Sequence, residues 1–483
     1  MMKVRTRFAP SPTGFMHIGN LRTCLYAYLY AKKFDGDFIL RIEDTDRERY
    51  VEGAVETIYR TLQTAGIEHD EGPDKDKGFG PYVQSERKGI YLEYAKMLVQ
   101  KGGAYYCFCD KERLESLADE NGIKRYDKHC LKLTAEEVAQ KLESGLPYVI
   151  RQNIPQNGAS EYEDMVFGKI SVDYSELEDG ILIKSDGMPT YNFANVVDDH
   201  LMQISHVIRG TEYLSSTPKY NLMYDAFGWE RPKYMHLPPI MKDEHRKLSK
   251  RFGDANFEDF IQKGFLPEAI VNYIALLGWS PKDNKEKMTM SEMIEEFCVD
   301  GISKSGSIFD EVKMRWLNGE YIKQLSLEQF MSHATPYFES SLIAGKYDYE
   351  KLGKLLLTRI ETFGDIPQKV NFLQEFGEYD CEMYFSKKMK VTKELALVIV
   401  KEAIDVWGQL SDWTEDALKE KIAQMAESLS VKSGQVFLPI RLAITGVAST
   451  PGGATEMADI LGKEETLKRL NFSLNLLQKN LEV

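Results

Sequence analysis

Residues 7–22 read RFAPSPTGFMHIGNLR, and this stretch decides the fold. Val4, Thr6 and Phe8 alternate with polar neighbours, the period of a strand with one buried face. Pro10 and Pro12 lack the amide that a sheet ladder or a helix interior needs, so the chain must turn there. Over residues 18–34, Leu21, Leu25, Tyr28 and Leu29 recur at spacings of three and four, which predicts an amphipathic helix. A strand, a tight loop and a helix in this order aim the helix's free first amides back at the loop. Unpaired N–H groups and the positive end of the helix dipole suit a phosphate there. Taken alone, the loop is equally an ordinary strand-to-helix connection.

Working outward, residues 38–42 (FILRI) form a short apolar strand that breaks at Glu43, Asp44, Thr45 and Asp46. Residues just past the carboxyl end of a parallel strand face the ligand crevice, which makes Glu43 a site candidate. Capping of the next helix is the plain reading of Asp44 and Asp46. Helical spacing returns over 50–65 and stops at Gly66, and QSER (84–87) opens another helix to about Lys101. Strands and helices alternating through short joins predict a Rossmann-like parallel sheet. Residues 105–187 change character, with clustered cysteines, a helix near 134–142 and alternating runs at 148–151 and 181–184. They read as an insertion between two halves of the sheet. YNFANVVDDHL (191–201) follows as a helix, on which Tyr191 and Asn195 share a face. Beyond Lys323 the spacing is helical throughout, notably over 352–362, 392–407 and 413–429, with a loop, helix and loop over 434–453.

A length of 483 residues predicts about three or more domains. The net charge of −14 argues against a protein wrapped broadly in nucleic acid, so any such partner must be gripped by local basic patches and released by salt. The opening MMKVRTRFAP has no apolar signal core and no run of 18 apolar residues follows, from which a cytoplasmic protein with no membrane partner is expected. Of six cysteines, Cys24, Cys298 and Cys381 stand alone, which does not suggest a disulfide framework.

Lys247 begins KLSKR (247–251), in a polar segment that follows the apolar run HLPPIM. By itself a basic pentamer is a solvated loop. Paired with HIGN (17–20), it resembles the two signatures of the class I aminoacyl-tRNA synthetases, HIGH and KMSKS. RFAPSPTG, RIEDTD, YNFANVVDD and VIRGTEYLSSTPKY stand in the order of the glutamyl-tRNA synthetase family, and the similarity spans nearly the whole chain. The resemblance implies an α/β Rossmann-like catalytic domain with an inserted acceptor-binding domain, plus an all-α C-terminal anticodon-binding region. The implied segments are 1–104 and 188–240 for the two catalytic halves, 105–187 for the inserted acceptor-stem domain and 241–322 for a connecting stem-contact module carrying KLSKR. The helical anticodon region is then 323–483, in two subdomains meeting near 385.

The implied reaction is ATP-dependent activation of L-glutamate to glutamyl-adenylate, followed by transfer to the 3′ end of tRNA-Glu. The substrate carboxylate is the nucleophile, so the protein has to align groups and neutralise phosphate charge. By resemblance His17, Lys247 and Lys250 are catalytic. Thr13, Gly14, His17, Gly19, Asn20, Glu212, Tyr213 and Lys250 bind ATP, whose phosphates carry Mg²⁺. Arg7, Ala9, Ser11, Glu43, Tyr191, Asn195 and Arg209 surround glutamate, with Glu43 against its ammonium group. An arginine fork suits a carboxylate better than an amide. Asn20 replaces the second histidine of HIGH and Arg251 the final serine of KMSKS, and neither change removes a lysine or the first histidine.

Cys107, Cys109 and Cys130, with Tyr126 or His129 as a fourth donor, are similar to the zinc-binding pattern of some relatives. Lys132 stands where others carry histidine. Zinc bound by four ligands and a cluster of packed cysteines are the two readings. Arg359 matches an arginine that reads the last anticodon base, or is a surface arginine of an amphipathic helix. The run SKKMKVTK (386–393) reads as a solvated turn first and as a contact for tRNA phosphates second. A monomer is implied. A non-discriminating relative that also charges tRNA-Gln is the near alternative; a nucleotidyltransferase and an inactive tRNA-binding paralogue are the distant ones. Because Lys250 would act mainly on departing pyrophosphate, Lys250→Ala is expected to lower kcat by hundreds-fold or more with little change in glutamate affinity. Single-turnover adenylate formation measures this, and near wild-type turnover would remove KLSKR from the mechanism.

Overall fold

Strands β1 (Arg5–Phe8) and β2 (Asp37–Leu40) run parallel, with Arg5 opposite Asp37 and Phe8 opposite Leu40, in a computed structural model that describes residues 3–45, 51–118, 125–248 and 256–481. All eight residues are buried, which overturns the expected polar face of β1. Arg5 and Arg7 stay inside because each meets a carboxylate. Arg5 pairs with Asp37 at 2.9 Å and Glu71 at 3.0 Å, and Arg7 with Asp199 at 3.0 Å. A buried charge is tolerated only with such a partner.

The next strands are β3 (Ala104–Cys107), β4 (Val149–Gln152), β5 (Ala159–Asp164), β6 (Gly168–Asp173) and β7 (Ile181–Ile183). Of these, β3, β4 and β7 form a small antiparallel sheet. Strands β8 (His206–Gly210) and β9 (Lys233–Leu237) then run parallel, and β1 meets β8 through the Ser205 N–H donated to Arg5 O at 3.0 Å. The β5–β6 hairpin joins the same layer, since Asp164 pairs with Tyr234 of β9. A hairpin from the middle of the chain thus edges the parallel sheet.

Helix α1 (Ile18–Lys33) buries 11 of its 16 residues, more than the one stripe its spacing predicts. It is covered on two sides, by β1, β2 and β8 and by the helices Pro267–Leu276 and Met290–Glu296. Polar groups on α1 fasten that second cover. Arg22 Nη1 donates to Leu277 O at 2.8 Å, its Nη2 donates to Pro238 O, and the Tyr26 hydroxyl donates to Ala275 O at 2.8 Å.

Contacts divide the chain into two units, Met1–Ile261 with Pro267–Glu311 and Gln262–Leu266 with Val312–Val483. The second unit holds helices and no strand ladder among its described residues. Two helices are shorter than their spacing predicts. The expected helix at 50–65 is Ala54–Thr64, because Gly53 sits at φ +76° and breaks the run. The one expected over 352–362 spans Tyr349–Leu356, and the chain then bends so that the Asp365 carboxylate accepts from Thr362 N at 3.0 Å. Asp44 does not cap the following helix either; its Oδ1 accepts from Ser85 N at 2.8 Å, and Asp46 lies outside the described residues.

Candidate active site

The loop after β1, the residue past β2, the N-terminus of helix Tyr191–Leu201 and the end of β8 converge on a cavity of about 290 Å³. Arg7, Ala9, Ser11, Thr13, Asn20, Glu43, Tyr191, Arg209, Glu212 and Tyr213 line it, ten of the residues singled out from sequence. An adjoining cavity of about 270 Å³ shares Asn20 and Glu212 and adds His17, Gly19 and Lys247. Asn195 lines neither. It is 2% exposed, and its Nδ2 donates to Tyr191 O at 2.8 Å. Gly14 also lies off both cavities, at φ +111° where glycine's freedom is used. Lys250 and Arg251 lie outside the described residues. A larger depression of about 580 Å³, lined by Glu163, Lys233 and Lys304 among others, holds none of the predicted residues.

Under the first cavity lies a network that sequence reasoning missed. Arg41, 0% exposed, donates to Asp199 at 2.7 Å and to Glu43 at 3.0 Å, while Arg7 grips Asp199 from the other side. Asp198 accepts from Arg87 at 2.7 Å, Gln84 at 2.9 Å and Tyr91 at 2.9 Å. Burial alone would raise the Asp199 carboxyl, but Arg7 and Arg41 outweigh it and hold it below the usual range. At Glu43 burial wins, pushing the carboxyl up to about 7 against the pull of Arg41 and Arg7. The signal was present as two adjacent acids near the end of helix Tyr191–Leu201, yet no spacing rule says that they face Arg7 and Arg41.

Arg209 differs from Arg7. Arg7 spends three nitrogens, two on Asp199 and one on Ile208 O at 3.2 Å. Arg209 is 5% exposed and pairs with no carboxylate among the described residues. Its fixed contacts are neutral: the rings of Tyr213, Tyr220 and Tyr234 at 5.1, 4.7 and 5.5 Å, and hydrogen bonds to His236 and Thr217. A buried guanidinium that faces a cavity with an uncompensated charge is built for an anion.

His17 caps α1, and its Nδ1 accepts from Gly19 N at 3.0 Å. The neutral ring therefore carries its proton on Nε2, the nitrogen left as donor. Asn20 N and Leu21 N both donate to His17 O, at 2.9 and 3.1 Å. This corrects in part the expectation of free first-turn amides aimed at a phosphate, because the histidine takes up those of Gly19 and Asn20 itself, while the Leu21 bond is the ordinary first bond of the helix ladder. Lys247 reaches the second cavity from a backbone bridge with Met241, and the next amide, Leu248 N, donates to Ile240 O at 3.0 Å. At Gly210 the Glu212 carboxylate folds back to the place a Cβ would take.

The sulfurs of Cys107, Cys109 and Cys130 lie within 4.8 Å of one another. The Tyr126 oxygen is 3.3 Å from Cys107 Sγ and 3.5 Å from Cys109 Sγ, while His129 is exposed and outside the group. The three sulfurs are the thiolate donors a four-coordinate zinc site uses, and the phenol oxygen of Tyr126 stands beside them in the place of a fourth donor. Burial pushes the Cys109 thiol up to about 12, whereas at Cys107 hydrogen bonds to Tyr126 and Arg151 outweigh burial and lower it. In the second unit Arg359 is exposed in the turn just past helix Tyr349–Leu356, and its Nη1 donates to Leu355 O at 2.8 Å. It is therefore a turn residue and not one on a helix face.

Residues 3–316 match the family described as tRNA synthetases class I (E and Q), catalytic domain, and residues 329–474 match an anticodon binding domain. Over 480 residues the chain is 57% identical to a protein of Clostridium novyi (strain NT) named glutamate–tRNA ligase, covering 99% of each. It is 55% identical over 481 residues to the protein of the same name from Clostridium acetobutylicum, again covering 99% of each. The crystal structure of a glutamate tRNA ligase from Elizabethkingia meningosepticum in complex with its amino acid superposes with a TM-score of 0.88 at 36% identity, covering 98% of this chain and 99% of that one. With its catalytic segment matched and its full length aligned to such relatives, this chain belongs to the glutamate–tRNA ligase family of class I aminoacyl-tRNA synthetases.

Proposed function

We propose that the first cavity holds L-glutamate, the adjoining one ATP, and that the protein is an ATP-dependent glutamate–tRNA ligase. The observation that carries this reading is the pair of buried, opposite charges on one cavity: Arg209, with no carboxylate of its own, and Glu43. An amino acid with an ammonium group and anionic ends answers both. The relatives named glutamate–tRNA ligase support the same substrate.

The first step forms a bond between a glutamate α-carboxylate oxygen and the α-phosphorus of ATP, and breaks the bond to the bridging oxygen of the β-phosphate. Pyrophosphate leaves. In the second step a 3′-terminal hydroxyl of tRNA attacks the acyl carbon, loses its proton, and AMP leaves with the acyl–oxygen electron pair. His17 Nε2–H donates to the phosphates, and Lys247 with Lys250 balances the charge of the departing pyrophosphate. ATP would bring Mg²⁺ with it, which would supply further positive charge against the phosphates. Arg7 and Arg209 orient the carboxylates. Glu43 takes the ammonium group.

Partner assignments follow. tRNA-Glu is held by the helical unit that matches an anticodon binding domain, with Arg359 on the last anticodon base. A cytoplasmic monomer is what the family resemblance implies, and no described helix is long and apolar enough to cross a membrane. Nothing observed favours a nucleotidyltransferase or an inactive paralogue. Cys107, Cys109, Tyr126 and Cys130 would hold one structural zinc, tying the end of β3 to the turn His129–Lys132.

Three measurements test this reading. Purified enzyme is expected to attach labelled glutamate to tRNA-Glu; acylation of tRNA-Gln as well would make it non-discriminating, and acylation of neither would overturn the assignment. Metal analysis of protein prepared without chelator or affinity metal is expected to find about one zinc per chain, and none would leave packed cysteines instead. The third concerns pH. Glu43 is raised from 4.5 to about 7, so below about 7 the cavity carries a neutral acid that cannot pair with an ammonium ion. The KM for glutamate should fall as pH rises through about 7. Glu43→Gln should have a KM about 10- to 100-fold higher and independent of pH over that window. In stability the sign is opposite: the folded carboxyl binds its proton more tightly than the unfolded one. Its contribution is present below about 4.5 and lost as pH rises through about 7.

A further inference from the structure

His236 and Asp164 form a buried pair that the reaction steps do not use. Both side chains are 0% exposed, and Asp164 Oδ2 lies 2.7 Å from His236 Nδ1. The other ring nitrogen, Nε2, is 3.1 Å from Arg209 Nε. An arginine Nε can only donate, so His236 Nε2 must accept, and the single ring proton sits on Nδ1 facing the carboxylate. Burial lowers the basicity of this imidazole, and Arg209 lowers it further against the opposing pull of Asp164, which keeps Nε2 an acceptor. Asp164 is fixed in turn, because its Oδ1 accepts from Val166 N and Phe167 N, both at 2.9 Å.

Arg209 needs such support. A guanidinium has five donors in a rigid fork, and here one Nη2 donor is held by Thr217 Oγ1 at 2.7 Å while Nε is held by His236. Those two anchors set the plane of the fork and leave the Nη1 edge without a hydrogen bond among the described residues. Thr217 is anchored by its own donation to Tyr213 O at 2.9 Å. A carboxylate anchor would do the same job but would cancel the charge the substrate has to meet. A neutral imidazole polarised by a more distant carboxylate orients the arginine and spares its charge.

We propose that His236, with its tautomer set by Asp164, is a positioning residue that aims Arg209 at a carboxylate of the substrate. This rests on the reading of the first cavity as the glutamate site. His236 touches no substrate; it acts through Arg209. His236→Phe keeps the ring and removes both nitrogens. Its KM for glutamate is expected to rise about 10- to 100-fold, the loss of one hydrogen bond to a charged group, while its KM for ATP stays within about two-fold. His236→Gln can present an amide oxygen where Nε2 stood and is expected to recover most of that loss. Asp164→Asn places an N–H against Nδ1 and drives the ring proton to Nε2, where it meets the Arg209 donor; the same glutamate-specific rise is expected.

Charging assays on wild type and all three variants, with KM measured separately for each substrate and thermal unfolding in parallel, decide the matter. A rise shared equally by glutamate and ATP, or a loss of thermal stability with unchanged KM values, would reduce the pair to a packing role and overturn the proposal. An Asp164→Asn enzyme with wild-type KM for glutamate would overturn the tautomer argument. A wild-type enzyme that charges no glutamate sinks the reading of the cavity itself, whereas an active wild type with an unaffected His236→Phe sinks only the positioning role.

Discussion

Taking three guanidinium and three carboxylate groups out of water is the constraint on which the catalytic half depends. Arg7, Arg41 and Arg87 stand against Glu43, Asp198 and Asp199, all of them buried. Each ion loses its hydration, and the set is tolerable only because every member has an opposite charge within hydrogen-bonding distance. Removing one partner from such an arrangement costs roughly 3–5 kcal/mol, since the other is left buried and unpaired. The geometry is accordingly rigid. β1 contributes Arg7, the chain just past β2 contributes Arg41 and Glu43, and helix Tyr191–Leu201 contributes both aspartates, so the network locks together elements from the two ends of the sheet-forming region.

That rigidity serves the cavity above it. Glu43 is held by Arg41 and still lines the cavity, so a single carboxylate belongs to both the framework and the site. Arg209 is arranged on the opposite principle. It has aromatic rings and neutral acceptors around it, and its charge is not cancelled before a ligand arrives. A site that distinguishes the ends of an amino acid needs this asymmetry, one reader shared with the network and one held apart from it. The second cavity is bounded by His17 and Lys247, which come from stretches far apart in the chain; Arg22 links them by reaching from α1 to both Pro238 O and Leu277 O.

Much of this was legible in the sequence, and the reasons differ by residue. The strand, loop and helix around residues 7–22 follow from proline chemistry and helical spacing, which act locally and need no partner. Ten candidate residues fall on one cavity because signature motifs preserve the order of the pieces. The errors share a cause. β1 was expected to show one face to water and α1 to bury one stripe, yet both are enclosed by elements from elsewhere in the chain. The first-turn amides of α1 were expected to be free, and His17 takes up those of Gly19 and Asn20 through its own side chain and carbonyl. Asn195 shares a face with Tyr191, as its spacing requires, and its Nδ2 donates to Tyr191 O.

By itself the sequence determined the order of secondary elements, the turn that opens the site and the chemical classes of group available to it, because these depend on neighbours within a few residues. Tertiary structure alone decided which charges cancel and which remain. Asp198 and Asp199 meet arginines more than a hundred residues away, and Asp164 meets His236 across 72 residues of chain. A carboxylate's proton affinity and an arginine's availability are set by what the fold buries beside them, through desolvation and Coulomb interaction, and no local pattern carries that information.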